Sequence, residues 1–104
     1  MKTKIVDQKK VGSDVKFSDL QFGVHPAGHG KQARVAFENG YGASIVRFPG
    51  SYGFEEGLYE MAVLDRAGRL TYTTPVTDDV LGHLSESAVE QHLHEIAALP
   101  EAPK

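Results

Sequence analysis

The chain has 104 residues, 40% of them hydrophobic and 24% charged, with 11 Lys/Arg against 14 Asp/Glu and no cysteine. That length suits one domain with one modest core. The composition excludes a disulfide framework, a thiolate metal site and a cysteine nucleophile, and no apolar run approaches the ~20 residues needed to span a bilayer.

The charge is unevenly spread: residues 1–50 carry eight Lys/Arg and four Asp/Glu, and residues 51–104 carry three and ten. Neither half holds a single-sign block dense enough to demand a polyelectrolyte partner. Residues 1–16, "MKTKIVDQKKVGSDVK", have scattered charges and no sustained period, and read as a loosely ordered arm with a short strand at Lys4–Val6. The arm lacks the apolar stretch of a secretory signal, so a cytoplasmic location is expected. "DLQFGVH" alternates Leu20, Phe22 and Val24 with Gln21, Gly23 and His25, the period of a half-buried strand.

"KQARVAFENGYGASIVRF" is the strongest hairpin signal, because Asn-Gly tolerates the positive φ angles of a two-residue reversal. A two-residue turn at Asn39–Gly40 sets Phe37 opposite Gly42, Val35 opposite Ser44, Arg34 opposite Ile45 and Ala33 opposite Val46. In that register one face carries Ala33, Val35, Phe37, Val46 and Phe48 and belongs to the core. The other carries Arg34, Arg47 and Gln32, with Tyr41 and Ile45 among them, and stays wet, since burying two guanidinium groups is expensive. Gly42 leaves room for the Phe37 ring.

"GLYEMAVLD" follows as a strand with Tyr59, Met61 and Val63 on one face and Leu58, Ala62 and Leu64 on the other, as in a covered position. "RLTYTTPV" reads as a returning strand with Leu70 and Tyr72 inward, ending at Pro75. Thr77 caps a short helical turn at Asp78–Asp79. "SESAVEQHLHEIAAL" is the one strong helix, with Ser85 as N-cap and a stripe of Val89, Leu93 and Ile96. Leu81 and Leu84 pin it to the sheet. The pattern predicts an α+β domain over residues 17–99, an antiparallel sheet of four to five strands with a C-terminal helix packed on one face. Residues 100–104 read as a tail.

The loop "PGSYGFEEG", residues 49–57, is the best candidate site. It lacks the Gly-Lys-Ser/Thr that opens a helix onto a phosphate, and Glu55–Glu56 repel anions. Ser51 lacks a nucleophile elbow, because Pro49 takes the place of its first glycine. Tyr52 and Phe54 instead offer an aromatic knob for a protein partner. His25 and His29 lie four apart on a turn and fix no common face. His92 and His94 diverge on the helix, so neither pair makes a metal site. No metal and no cofactor is expected. The acidic pairs read as caps and solvated charges, and no group of side chains assembles a catalytic motif.

The run "QARVAFENGYGASIVRFPGSYGFEEGLYEMAVLD", followed by "TPVTDDVLGHL" and the amphipathic helix, resembles small uncharacterised proteins encoded by tailed phages and prophages, over residues 17–99. The resemblance implies a size class and an origin and transfers no catalytic residue. By analogy, accessory proteins of this size often act by binding a host or phage protein. The leading expectation is therefore a non-enzymatic protein-binding role. It uses Tyr52, Phe54, Glu55 and Glu56, with Tyr41, Ile45, Arg34 and Arg47 as a second patch. A free edge strand offers homodimer formation. One alternative is a nucleic-acid module using Lys2, Lys4, Lys9, Lys10 and the Arg34/Arg47 face, which the pI of 5.9 disfavours. The other is a small-ligand or metal protein centred on His25, His29 and the loop. A membrane role is not expected.

Overall fold

The computed structural model describes residues 8–26, 28–77 and 79–103. The strand expected at Lys4–Val6, the basic Lys2 and Lys4, and Asp78 lie outside the described residues. Six strands and one α-helix follow in order: β1 (Gln8–Lys10), β2 (Gly23–Val24), β3 (Lys31–Ala36), β4 (Gly42–Arg47), β5 (Tyr59–Leu64), β6 (Leu81–Leu84) and α1 (Glu86–Ala97). Strands β2 to β6 form a five-strand antiparallel sheet, and β1 joins the same edge of β3 as β2, in parallel. With α1 this is the expected α+β arrangement.

Helix α1 forms where its sequence demands. Ser85 Oγ accepts from the Ala88 amide at 3.2 Å, satisfying a donor that the helix start leaves open. Val89, Leu93 and Ile96 are all 0% exposed, packed on a sheet face of Ala33, Val35, Phe37, Ala43, Ile45, Tyr59, Met61 and Val63. Burial of this kind stabilises by about 1.5–3 kcal/mol per large aliphatic side chain.

The β3–β4 register differs by one residue from the expected one. Val35 faces Ala43, Arg34 faces Ser44, Ala33 faces Ile45 and Lys31 faces Arg47, while Gly42 opposes Ala36 rather than Phe37. The cause lies in the turn. The Phe37 amide bonds Tyr41 O at 2.8 Å and the Gly40 amide bonds Phe37 O at 3.0 Å, which closes a loop of Glu38, Asn39 and Gly40. Gly40 alone in this turn takes a positive φ, 94°, as in a type I turn followed by a bulge residue. Asn39 is occupied elsewhere: its Nδ2 donates to Ile96 O at 2.9 Å and Leu99 O at 3.0 Å, and its Oδ1 accepts from the Tyr41 amide at 3.0 Å. It thus ties the hairpin to the open carbonyls at the end of α1.

A one-residue shift exchanges faces along the strand. Ile45, expected on the wet face, is 0% exposed beneath α1, and Val46 and Phe48 move to the opposite sheet face. Arg34 and Arg47 consequently point to opposite faces. Arg34 Nη2 donates to Gly68 O at 2.6 Å in the β5-side turn. The surface of Tyr41, Ile45, Arg34 and Arg47 is therefore not assembled, and the nucleic-acid face built on both arginines is not either.

Further expectations are corrected. Residues 8–16 are not a loose arm: β1 pairs with β3, and Val15 is 2% exposed in the core. The tail is also held, since the Ala102 amide donates to Asn39 O at 2.7 Å and Arg66 pairs with Glu101 at 2.7 Å. "RLTYTTPV" forms only an isolated bridge, Leu64 to Leu70, with Leu70 and Tyr72 about half exposed. The rest of that β5 edge belongs to β6, so Leu81 and Leu84 sit in the sheet itself. In the same stretch the Asp79 amide donates to Thr77 Oγ1 at 3.0 Å, in a bend that leads into β6 instead of a helical turn. In "DLQFGVH", Leu20 is buried, but only Gly23–Val24 pairs as a strand and Val24 is 67% exposed.

Candidate functional site

The loop between β4 and β5 is tightly built from its own backbone. Pro49–Gly50 occupy the centre of a turn closed by the Ser51 amide on Phe48 O at 2.9 Å, with Gly50 at φ 102°, the Pro-Gly order that a type II turn requires. Ser51 is buried, and its hydroxyl accepts from the Phe48 amide at 3.0 Å and donates to Phe48 O at 2.8 Å. It is a turn-closing group, not a nucleophile. The amides of Phe54, Glu56, Gly57 and Leu58 bond Ser51 O, Gly53 O, Phe54 O and Gly53 O within the loop. These bonds tie the loop to its own carbonyls.

The loop presses onto β6. A Cβ added at Gly82 would lie 2.5 Å from Tyr52 Cβ, and one added at Gly53 would lie 2.9 Å from His83 Cα. Both glycines are needed for that close approach. The Tyr52 amide donates to Glu60 Oε1 at 3.0 Å. Opposite Glu60, β6 is irregular: Tyr59 pairs with Leu84 and Met61 with Leu81, so Gly82 and His83 together face one residue. This is a β-bulge, and it re-aims the His83 side chain. Among the described residues His83 is the one non-glycine with positive φ, 56°, a conformation that costs an L-residue about 1–2 kcal/mol.

The result is an aromatic pair at the surface. The Tyr52 and His83 rings stack with centroids 6.4 Å apart and planes 19° from parallel, and Tyr52 is 59% exposed. Phe54 lies half-buried beside them with the Arg47 guanidinium 5.8 Å above its ring, and Glu55 and Glu56 are exposed. Residues 49–56 and His83 enclose a shallow recess of about 340 Å³. Four expected residues, Tyr52, Phe54, Glu55 and Glu56, thus come together with Arg47. Tyr41 lies at the other end of β4, half-buried against the core and beside Asp65 and Arg66. Six residues of strand, roughly 20 Å, separate it from the loop.

His83, Gly82 and Glu60 join the site although their sequence pattern does not mark them. A bulge depends on how β6 meets β5, and "LGHL" carries no sign of it. Of the two histidines considered for a metal, His25 stacks on Phe48 at 4.2 Å and His29 is exposed. Among the described residues no group of three or more His, Asp or Glu side chains is arranged to hold a metal ion, and no helix is long and apolar enough to cross a membrane. No protein-family model, curated protein or solved structure matches this chain.

Proposed function

We propose that the protein is a small accessory binding protein that recognises another protein through the Tyr52–His83 surface. One observation carries the reading: a largely exposed tyrosine stands on a loop locked at both ends, stacked on a histidine held in a left-handed conformation. Tyrosine is a frequent binding anchor because it presents a large amphipathic surface with only two side-chain torsions to freeze. The turn bonds and the Gly53 and Gly82 approaches fix its position before any partner arrives, which lowers the ordering cost of association. The left-handed His83 supports the same reading, since a glycine would take that backbone angle without penalty. Glu55 and Glu56 flank the aromatic pair and favour a partner with basic groups at the rim.

The β6 edge is a weaker basis for self-pairing, because its bulge interrupts the flat row of donors and acceptors that a second copy needs. The test is affinity capture with the wild type, Tyr52→Ala, and Glu38→Gln as a control in the distant β3–β4 turn. A protein held by the wild type and the control is expected to bind Tyr52→Ala roughly 30-fold more weakly, the loss of about 2 kcal/mol typical of a tyrosine anchor. Equal recovery by all three would contradict the assignment.

A further inference from the structure

The corrected register places two cations side by side. Lys31 of β3 and Arg47 of β4 are direct cross-strand partners, so their side chains project from the same sheet face. Like charges in that relation repel. Neither makes an ion pair among the described residues, although acidic residues outnumber basic ones in the chain. Both rest on aromatic rings instead. Lys31 Nζ lies 4.8 Å from the Phe22 centroid and 5.4 Å from that of Tyr59, and Arg47 Cζ lies 5.8 Å from that of Phe54. The floor is firm, because Phe17, Phe22 and Tyr59 pack together at centroid distances of 5.2–5.8 Å.

Ring faces hold a cation but accept little from its N–H groups. The pair therefore combines two positive charges on a rigid strand scaffold, with neither charge in an ion pair among the described residues. A carboxylate ligand would match one charge, whereas a phosphate dianion matches both and suits the planar donor edge of arginine.

We propose that Lys31 and Arg47 form a binding site for a phosphate group, either free phosphate or a phosphate monoester. This goes beyond the Tyr52–His83 reading and is tested apart from it. Amide and side-chain NMR shifts are followed while inorganic phosphate, phenyl phosphate or acetate is added at constant ionic strength. Saturable shifts at Lys31 and Arg47 are expected with both phosphates, with acetate at least about tenfold weaker. Lys31→Gln and Arg47→Gln should each weaken phosphate binding about tenfold or more, while Arg69→Gln and Tyr52→Ala leave it unchanged. Tighter binding of phenyl phosphate assigns the site to an ester, and equal binding to free phosphate. Absence of saturable shifts in the wild type, equal response to acetate, or indifference to both substitutions would overturn the proposal.

Discussion

Replacing Asn39 with alanine should unfold the protein early, because this one side chain joins the β3–β4 turn to the end of α1. The substitution removes hydrogen bonds to Ile96 O at 2.9 Å, to Leu99 O at 3.0 Å and from the Tyr41 amide at 3.0 Å, while the 3.4 Å approach to Ala97 O counts for little. Each such bond contributes about 0.5–1.5 kcal/mol net. Asn39 is only half-buried, so water replaces part of what is lost, and the expected change is about 2 kcal/mol. In a domain of this size that lowers the urea midpoint by about 1 M and the melting temperature by about 10 °C. Asn39→Asp separates the two roles of the side chain. It keeps an acceptor for the Tyr41 amide but sets a carboxylate against carbonyls at the negative end of the helix, a further loss of about 0.3–1 kcal/mol. Aspartate should therefore be worse than alanine in urea titrations. An alanine variant within about 0.5 kcal/mol of wild type, or an aspartate variant more stable than alanine, would refute the tie between turn and helix.

Three other outcomes follow from the same packing. Ile45→Ala should destabilise by about 2–5 kcal/mol, as expected for a side chain with 0% exposure; a surface position would give less than about 0.5 kcal/mol in the same denaturation curve. Gly82→Ala places a methyl group 2.5 Å from Tyr52 Cβ and should cost about 1–3 kcal/mol. Hydrogen exchange should report the loss as faster exchange of the Tyr52 and His83 amides. His83→Gly relieves a left-handed φ of 56° and, after the added chain entropy of glycine, should stabilise by about 0.5–1 kcal/mol in urea titrations. It also removes the ring beneath Tyr52 and should weaken partner capture.

The helix was legible in the sequence because its signals are local. An N-cap serine and a stripe at Val89, Leu93 and Ile96 need no knowledge of the rest of the chain. Strand β5 was legible as a covered strand, from apolar residues on both of its faces. The β3–β4 hairpin was legible as a hairpin but not in its register. Asn-Gly fits a two-residue and a three-residue reversal alike, and the choice goes with carbonyls at Ile96 and Leu99, more than 50 positions away. Once that choice changes, Ile45 moves inward and Lys31 replaces Gln32 as the residue opposite Arg47. β6 was hidden because four residues interrupted by Gly82 show no period, whereas "RLTYTTPV" has strand composition but meets a β5 edge largely taken by β6. In the candidate site the exposed aromatic loop could be read from its residues, but its support on His83 could not, because that contact depends on the bulge.

The pairing of β3 with β4 decides which side chains reach the core and which reach the surface, and nuclear Overhauser effects between α-protons read it directly. The Phe37 amide bonded to Tyr41 O makes that pair hydrogen-bonded. By alternation Arg34–Ser44 and Gln32–Val46 are the close, non-hydrogen-bonded pairs, with Cα atoms about 4.5 Å apart. Strong α-proton cross-peaks are expected for Arg34–Ser44 and Gln32–Val46. Cross-peaks linking Val35 to Ser44 and Ala33 to Val46 in their place, the close pairs of a two-residue turn, would contradict the register, and with it the burial of Ile45 and the pairing of Lys31 with Arg47.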